Sequence, residues 1–276
     1  FGVNNLKFVN SIKDMKKKSL YKKFLLERFH LLKKNKIKIN KINAVDKSKL
    51  EKVISKIKPS TVIHLAAVSH DGKSNLFPEY AYKNSFETLF NTLDVIRSRK
   101  IHLIYFSSSM VYGTFKKKVV DELESCNPIG IYGSLKLSGE LLIKAFSNVF
   151  SLNYTIVRPS ALYGERCISN RVIQIFLENA FEKRDISING DGKEKLDFTY
   201  IDDFCDGIYK IIKKKSKSIN QIFNLTYGNS QSILNLKNMI RKKFKNQKFL
   251  HKKRDKLMAI RGTLSIKKAN KLLNYK

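Results

Sequence analysis

The sequence predicts an α/β protein: a doubly wound parallel sheet with helices on both faces and a smaller C-terminal lobe. Three observations carry this expectation. Short apolar runs alternate with segments of helical periodicity through the first two-thirds of the 276 residues, the pattern of repeated βαβ units. Two runs, TVIHLAA at 61–67 and IHLIYFS at 101–107, are continuously apolar, as strands covered on both faces are. Beyond Tyr163 the alternation loosens, and an apolar run returns near 222–225.

Taken in order, residues 6–9 form a short apolar run, expected as a strand. Residues 20–32 place Leu20, Phe24, Leu25, Phe29 and Leu32 at helical spacing. Residues 37–42 alternate isoleucine with lysine and asparagine, a strand pattern. Residues 50–57 read as a helix that Pro59 closes. The 61–67 strand, a long helix over 81–97, the 101–107 strand, a helix over 132–150 and a strand over 154–158 follow. Ligands of such sheets bind beyond the carboxyl ends of the strands. That rule selects Ala66 and Ala67, Ser107 to Ser109, and Pro159 and Ser160 before any motif is considered. The expected division is a sheet domain over 1–163 and a lobe over 164–276, interleaved with the sheet near 197–226.

Composition narrows the class. Hydrophobic residues make up 42 %, enough for a sizeable core. No apolar run approaches the ~20 residues of a membrane span, and the N-terminus shows no signal-peptide pattern. The cysteines, Cys126, Cys167 and Cys205, are too scattered for a metal site or a disulfide framework. No metal is expected, and a reducing, cytoplasmic setting is the default. Lys plus Arg total 55 against 23 acids, a net charge of +32. Such an excess points either to a polyanion partner or to compositional bias. Its lysines are dispersed, and no aromatic–basic motif for base stacking accompanies them. Bias is the preferred reading, and nucleic acid is not expected as a partner.

The chemistry-bearing signal is YGSLK, Tyr132 to Lys136, at the head of a helix. Side chains four apart share a helix face, about 5–6 Å apart. An ordinary tyrosine titrates near ~10, and an ammonium on the same face is expected to lower that value. The pair then accepts a proton from a substrate hydroxyl, and Ser108, at the carboxyl end of the 101–107 strand, is placed to hold the oxygen. In a lysine-rich chain Y-x-x-x-K alone is a weak signal; its position after a buried strand ending in SSSMVYG gives it weight.

With these segments in view, the chain resembles the extended short-chain dehydrogenase/reductase family, the NAD-dependent sugar epimerase/dehydratase group. VIHLAA (62–67), the helix carrying Asn84, FSSSMVYG (106–113), YGSLK, VRPSALYGER (157–166), GDGKEKLDFTYIDDFCDGI (190–208) and FNLTYGNSQSI (223–233) carry the resemblance. It implies a Rossmann-like sheet and the catalytic set Ser108, Tyr132 and Lys136. The cofactor implied is NAD, with NADP left open. Its implied contacts are Asn10, Asn43, Ala44, Leu65, Ala66, Ala67, Asn84, Ser107, Pro159 and Ser160, besides Tyr132 and Lys136. The substrate implied is a sugar, nucleotide-linked, met by Ser109, Met110, Arg166 and Arg171. A homodimer through the 81–97 and 132–150 helices is also expected.

Departures from the family pattern are informative. Its opening glycine-rich strand–turn–helix, where backbone amides meet the cofactor pyrophosphate, has no counterpart here, and residues 6–10 resemble the family's second strand. The expectation is therefore either a partial sequence or a degenerate, inactive member, with an RNA-binding relative as the alternative of a different class. Where sugar 4,6-dehydratases carry an Asp and a Glu, this chain has Ser109 and Met110. Methionine cannot move a proton, so epimerisation through a 4-keto sugar, or simple reduction, is expected. Leu196 stands where the family offers an arginine to the diphosphate, which leaves Arg166 and Arg171 as substitutes.

Overall fold

The computed structural model describes residues 8–68 and 71–276. Its helices are α1 (Met15–Lys34), α2 (Lys47–Ile57), α3 (Asp71–Leu76), α4 (Pro78–Tyr82), α5 (Thr88–Ile96), α6 (Ile131–Phe150), α7 (Val172–Phe181), α8 (Ile201–Lys213), α9 (Lys215–Ser218), α10 (Ile233–Lys243) and α11 (Lys267–Leu273). The strands are β1 (Thr61–His64), β2 (His102–Phe106), β3 (Val119–Val120), β4 (Tyr154–Pro159), β5 (Leu162–Tyr163), β6 (Ile186–Asn189), β7 (Lys195–Leu196), β8 (Thr199–Tyr200), β9 (Gln221–Leu225), β10 (Gln231–Ser232), β11 (Phe249–Lys252) and β12 (Thr263–Leu264).

The central sheet has the order β1-β2-β4-β9, and every pair in it is parallel, with Ile63 opposite Ile104, Tyr105 opposite Ile156, and Val157 opposite Phe223. Parallel neighbours need crossovers, and the two faces show where these lie. One face buries Leu89, Leu93, Leu103, Ile143 and Ile156 under α2, α5 and α6. The other buries Ile104, Val157, Phe204, Ile208, Phe223, Leu273 and Tyr275 under α8 and α11. Both sides of β2 and β4 are dry, so those strand sequences are continuously apolar. Fully burying each such side chain contributes about 1.5–3 kcal/mol. A separate cluster in the lobe joins Phe176, Ile186, Ile188, Leu196, Leu236 and Ile240.

Helix α6 lies unusually close to the sheet because of its glycines. A Cβ at Gly139 would stand 2.5 Å from the Tyr105 hydroxyl, and one at Gly133 2.8 Å from the Met110 carbonyl oxygen. The helix therefore approaches both β2 and the turn that follows it. The expected long helix at 81–97 is interrupted: Lys83–Glu87 forms a π-helical turn between α4 and α5, a feature often found at functional sites.

Two strand expectations are corrected. Residues 6 and 7 lie outside the described residues, but Phe8, Val9 and Asn10 are helical. Val9 packs there with Tyr21, Leu25 and Ile168. Residues 37–42 are irregular. Ile37 and Ile39 are exposed, and no described strand lies alongside to accept their backbone, without which an alternating pattern has nothing to pair with. Helix α1 instead docks on the lobe, where the Tyr21 hydroxyl donates to Glu178 at 2.7 Å and Lys17 pairs with Glu178 at 2.9 Å.

Candidate active site

β2 ends at Phe106 and delivers three serines to the carboxyl edge of the sheet. Ser108 has extended backbone and its hydroxyl accepts from the Met110 amide at 3.2 Å, capping a short 3₁₀ turn over Ser109–Tyr112. That local bond aims the Ser108 side chain toward the start of α6. The N-cap of α6, Gly130, has no side chain to cap with; the cap comes from elsewhere, the Asn75 side-chain oxygen accepting from the Ile131 amide at 3.0 Å. Tyr132 sits on the first turn, near enough to Ser108 for that hydroxyl to favour its ionised form. Lys136, one turn on and buried, donates to the Phe106 carbonyl at 2.5 Å. Its ammonium lies 4.9 Å from the centre of the Tyr105 ring and 6.0 Å from that of Tyr132.

The expected electrostatics of this pair are corrected by the geometry. Burial pushes the Tyr132 phenol up from its ordinary value; the Ser108 hydrogen bond and the charge of Arg171 pull it down, and Asp71 pushes it up. Lys136 is not among the groups that lower it. The ammonium is turned to the Phe106 carbonyl and the Tyr105 face, and loss of water around a phenolate outweighs what remains. Lys136 itself is pulled down to about 8 by burial, against the pull of the Glu140 carboxylate.

The other expected residues divide between those brought to this edge and those held elsewhere. Pro159 ends β4 and Ser160 follows it, beside the end of β2. Leu65 is exposed and Ala66 and Ala67 are half-buried, leaving an apolar ledge after β1. The π turn holds that ledge: Ser85 accepts from the Val68 amide at 3.0 Å, while the Asn84 amide donates to the Tyr80 carbonyl at 2.9 Å. Asn43 and Ala44 lie in the segment before α2, which Asn91 of α5 ties down by donating to the Ala44 and Val45 carbonyls at 3.2 and 3.0 Å. Asn10, expected at the end of a strand, is exposed on the helical stretch beside Val9, on the Ile168 side of the molecule. Ser107 is buried and its hydroxyl donates to Glu140 at 2.5 Å. Ser109 is buried and Met110 half-buried in the 3₁₀ turn. Arg166 has its carbonyl bound by Arg28 of α1.

Arg171 lies near enough for its charge to act on both Tyr132 and Arg261. The sequence reading missed Arg261. Its guanidinium reaches Glu194 at 3.4 Å, and its Nε is buried without a hydrogen-bond partner. Burial and the like charge of Arg171 lower its pKa, against Glu194 and Asp71. Arg171 and Asp71 thus lie near enough for their charges to act on both Tyr132 and Arg261. The sequence offered only a faint signal for Arg261, an arginine spent where this chain normally spends lysine. Leu196 is buried in the lobe core. No group of metal ligands is found among the described residues.

The nicotinamide half of a dinucleotide site fits the residues present: a hydroxyl pair, a buried ammonium and an apolar ledge along one carboxyl edge. For the pyrophosphate no glycine-rich cradle exists in the 276 residues, and no residue is assigned to it. Residues 13–226 match the model of the NAD dependent epimerase/dehydratase family. The chain belongs to this family. A putative UDP-glucose 4-epimerase of Methanocaldococcus jannaschii is 32 % identical over 234 residues, 82 % of this chain and 75 % of that protein. A UDP-glucuronate 4-epimerase of Thermodesulfobacterium geofontis is 28 % identical over 242 residues, 85 % and 72 % of the two chains. Among solved structures, the UDP-glucuronic acid 4-epimerase of Bacillus cereus, bound to UDP-glucuronic acid and NAD, superposes with a TM-score of 0.82. It is 26 % identical, over 89 % of this chain and 79 % of that one. The family is NAD-dependent and includes epimerases and dehydratases of nucleotide-linked sugars.

Proposed function

We propose that this chain is a 4-epimerase of a UDP-linked sugar. The observation that carries the reading is the set of Ser108, Tyr132 and buried Lys136 at the carboxyl edge of the sheet, where Lys136 donates to the Phe106 carbonyl beside Ser108. In this reading Tyr132 takes the proton of the sugar 4-hydroxyl, Ser108 donates to that oxygen, and Lys136 keeps a buried positive charge one helical turn behind the pair, anchored on the Phe106 carbonyl. NAD, when bound, accepts hydride from C4 and returns it to the opposite face of the ketone. Arg171 and Arg261 hold the diphosphate, whose charge their guanidiniums match. Ser109 and Met110 offer no acid beside Ser108, so loss of water from the sugar is disfavoured. The relatives named as UDP-glucose and UDP-glucuronate 4-epimerases support the same substrate class. A homodimer across α5 and α6 belongs to this reading, supported by the exposed Phe90, Leu141 and Val149 on those helices.

Incubation of the chain with NAD and UDP-glucose or UDP-glucuronic acid, followed by proton NMR, tests the proposal. The expected product is the C4 epimer, with Tyr132→Phe losing about 10²–10⁴-fold in turnover while NAD binding persists. Full turnover in that variant, or a dehydrated product, overturns it.

A further inference from the structure

We infer that the buried Glu140–Arg158 pair is a positioning device: it ties together the three segments that carry the active site and keeps Lys136 an ammonium. The inference rests on the reading of Tyr132 and Lys136 as the reacting pair, and adds two residues that touch neither substrate nor cofactor.

Glu140 lies four residues beyond Lys136 on α6, on the same helix face. Its carboxylate is gripped by both arms of Arg158, Nε to Oε1 at 3.0 Å and Nη2 to Oε2 at 2.6 Å. Oε1 also accepts from the Ser107 hydroxyl at 2.5 Å. Arg158 is the residue of β4 just before Pro159 and Ser160, and Ser107 immediately precedes Ser108. One carboxylate therefore binds the helix of Tyr132 and Lys136, the end of β2, and the end of β4. The remaining arm of Arg158 donates to the Tyr112 hydroxyl at 2.9 Å, and Tyr112 donates to Asn224 of β9 at 2.8 Å. All five side chains are buried. A network satisfied to this degree fixes one arrangement of its parts.

Its second effect is electrostatic. The groups facing Lys136 are few. On its own helix they are Tyr132 and Glu140; from β2, the Tyr105 ring and the Phe106 carbonyl. From β1 there is His64, whose imidazole burial holds neutral, pulling it down to about 3. Arg158 from β4 binds Glu140. Glu140 is thus the one carboxylate acting on this ammonium among the described residues, opposing the burial that pulls it toward the neutral amine. Removing the negative charge must lower the pH at which Lys136 loses its proton.

The test does not depend on turnover. The full chain is labelled with [ε-¹³C]lysine, Lys136 is assigned by its absence in Lys136→Arg, and its titration is followed by NMR. Glu140→Gln is expected to move the midpoint of Lys136 down by about one pH unit or more, while Glu140→Asp, which keeps the charge, restores it toward that of the unaltered chain. Should Glu140→Gln fail to fold, Arg158→Gln carries the converse prediction: without the paired cation the Glu140 carboxylate acts unopposed on Lys136 and the midpoint rises. An unmoved midpoint in the folded variant overturns the proposal. Where the C4 epimer is formed, the alkaline limb of turnover shifts down with the midpoint. If no epimer forms in the unaltered chain, the functional reading fails while the titration still decides this inference.

Discussion

Arg158 pairs with buried Glu140, and Arg261 shares buried Glu194 with Arg254; the Arg158 and Arg261 pairings differ in what they leave over. Arg158 and Glu140, at the centre of the sheet, are 4 % and 1 % exposed and meet through two parallel bonds. Arg158 has partners for both arms and its Nε, and Glu140 raises its pKa despite burial. Arg261 and Glu194, at the mouth of the lobe, touch once at 3.4 Å. The Nε of Arg261 has no partner, and burial together with Arg171 lowers its pKa. A guanidinium carries five donors, and a buried donor without a partner is costly. The saturated pair is finished as structure. The unsaturated one is poised to be completed by an anion.

The largest expected effect falls on the saturated pair. Glu140→Ala leaves Arg158 buried and uncompensated, which costs about 3–5 kcal/mol of stability. Denaturant unfolding of the chain measures it, and a loss below about 1 kcal/mol would break the comparison, since the sheet pair would then be as dispensable as a surface bridge.

The mouth pair is expected to show the reverse balance. Arg261→Gln removes charge-assisted hydrogen bonds to an anion, each contributing about 1.5–3 kcal/mol, or about ten- to a hundredfold in affinity. Calorimetric titration with UDP reads this directly, with a stability loss well under that of Glu140→Ala. Unchanged UDP affinity removes Arg261 from the proposed diphosphate site.

How much of this was legible in the sequence follows the same division. β2, β4 and α6 were readable because β2 and β4 are covered on both faces, and two-sided burial writes itself as unbroken apolar runs such as IHLIYF. YGSLK and SSSMVYG stood out because the proposed chemistry needs particular residue types at fixed spacing, and the fold places both at the carboxyl edge of the sheet. The N-terminal stretch was misjudged for the opposite reason. Alternation at 37–42 is a strand signal only beside another strand, and Phe8 to Asn10 follow a lobe contact with Ile168, 158 residues away from Asn10, that no local pattern encodes. The direction of the Tyr132 shift escaped as well. Helical spacing places Lys136 near the phenol but does not say that the Phe106 carbonyl claims its ammonium. Arg261, in the loop before β12, and Asp71, at the start of α3, are 190 residues apart, and only the fold brings them near each other.

Asn75 marks a case between the two pairs: a polar contact at the mouth whose role is structural. Its side-chain oxygen accepts from the Ile131 amide and so caps α6 in place of Gly130, which has no side chain to do it. Asn75→Ala should cost about 1 kcal/mol, the usual loss for a helix cap, read as a small drop in the unfolding free energy. The cap is one residue from Tyr132, so in the variant the first turn of α6 frays and Tyr132 loses its place near Ser108; turnover should fall by more than UDP affinity does. The opposite result, affinity lost with turnover per bound substrate intact, would place Asn75 with Arg261 as a ligand contact. The mouth would then hold no purely structural polar bond at this position, and the contrast with the sheet pair would extend to the whole rim.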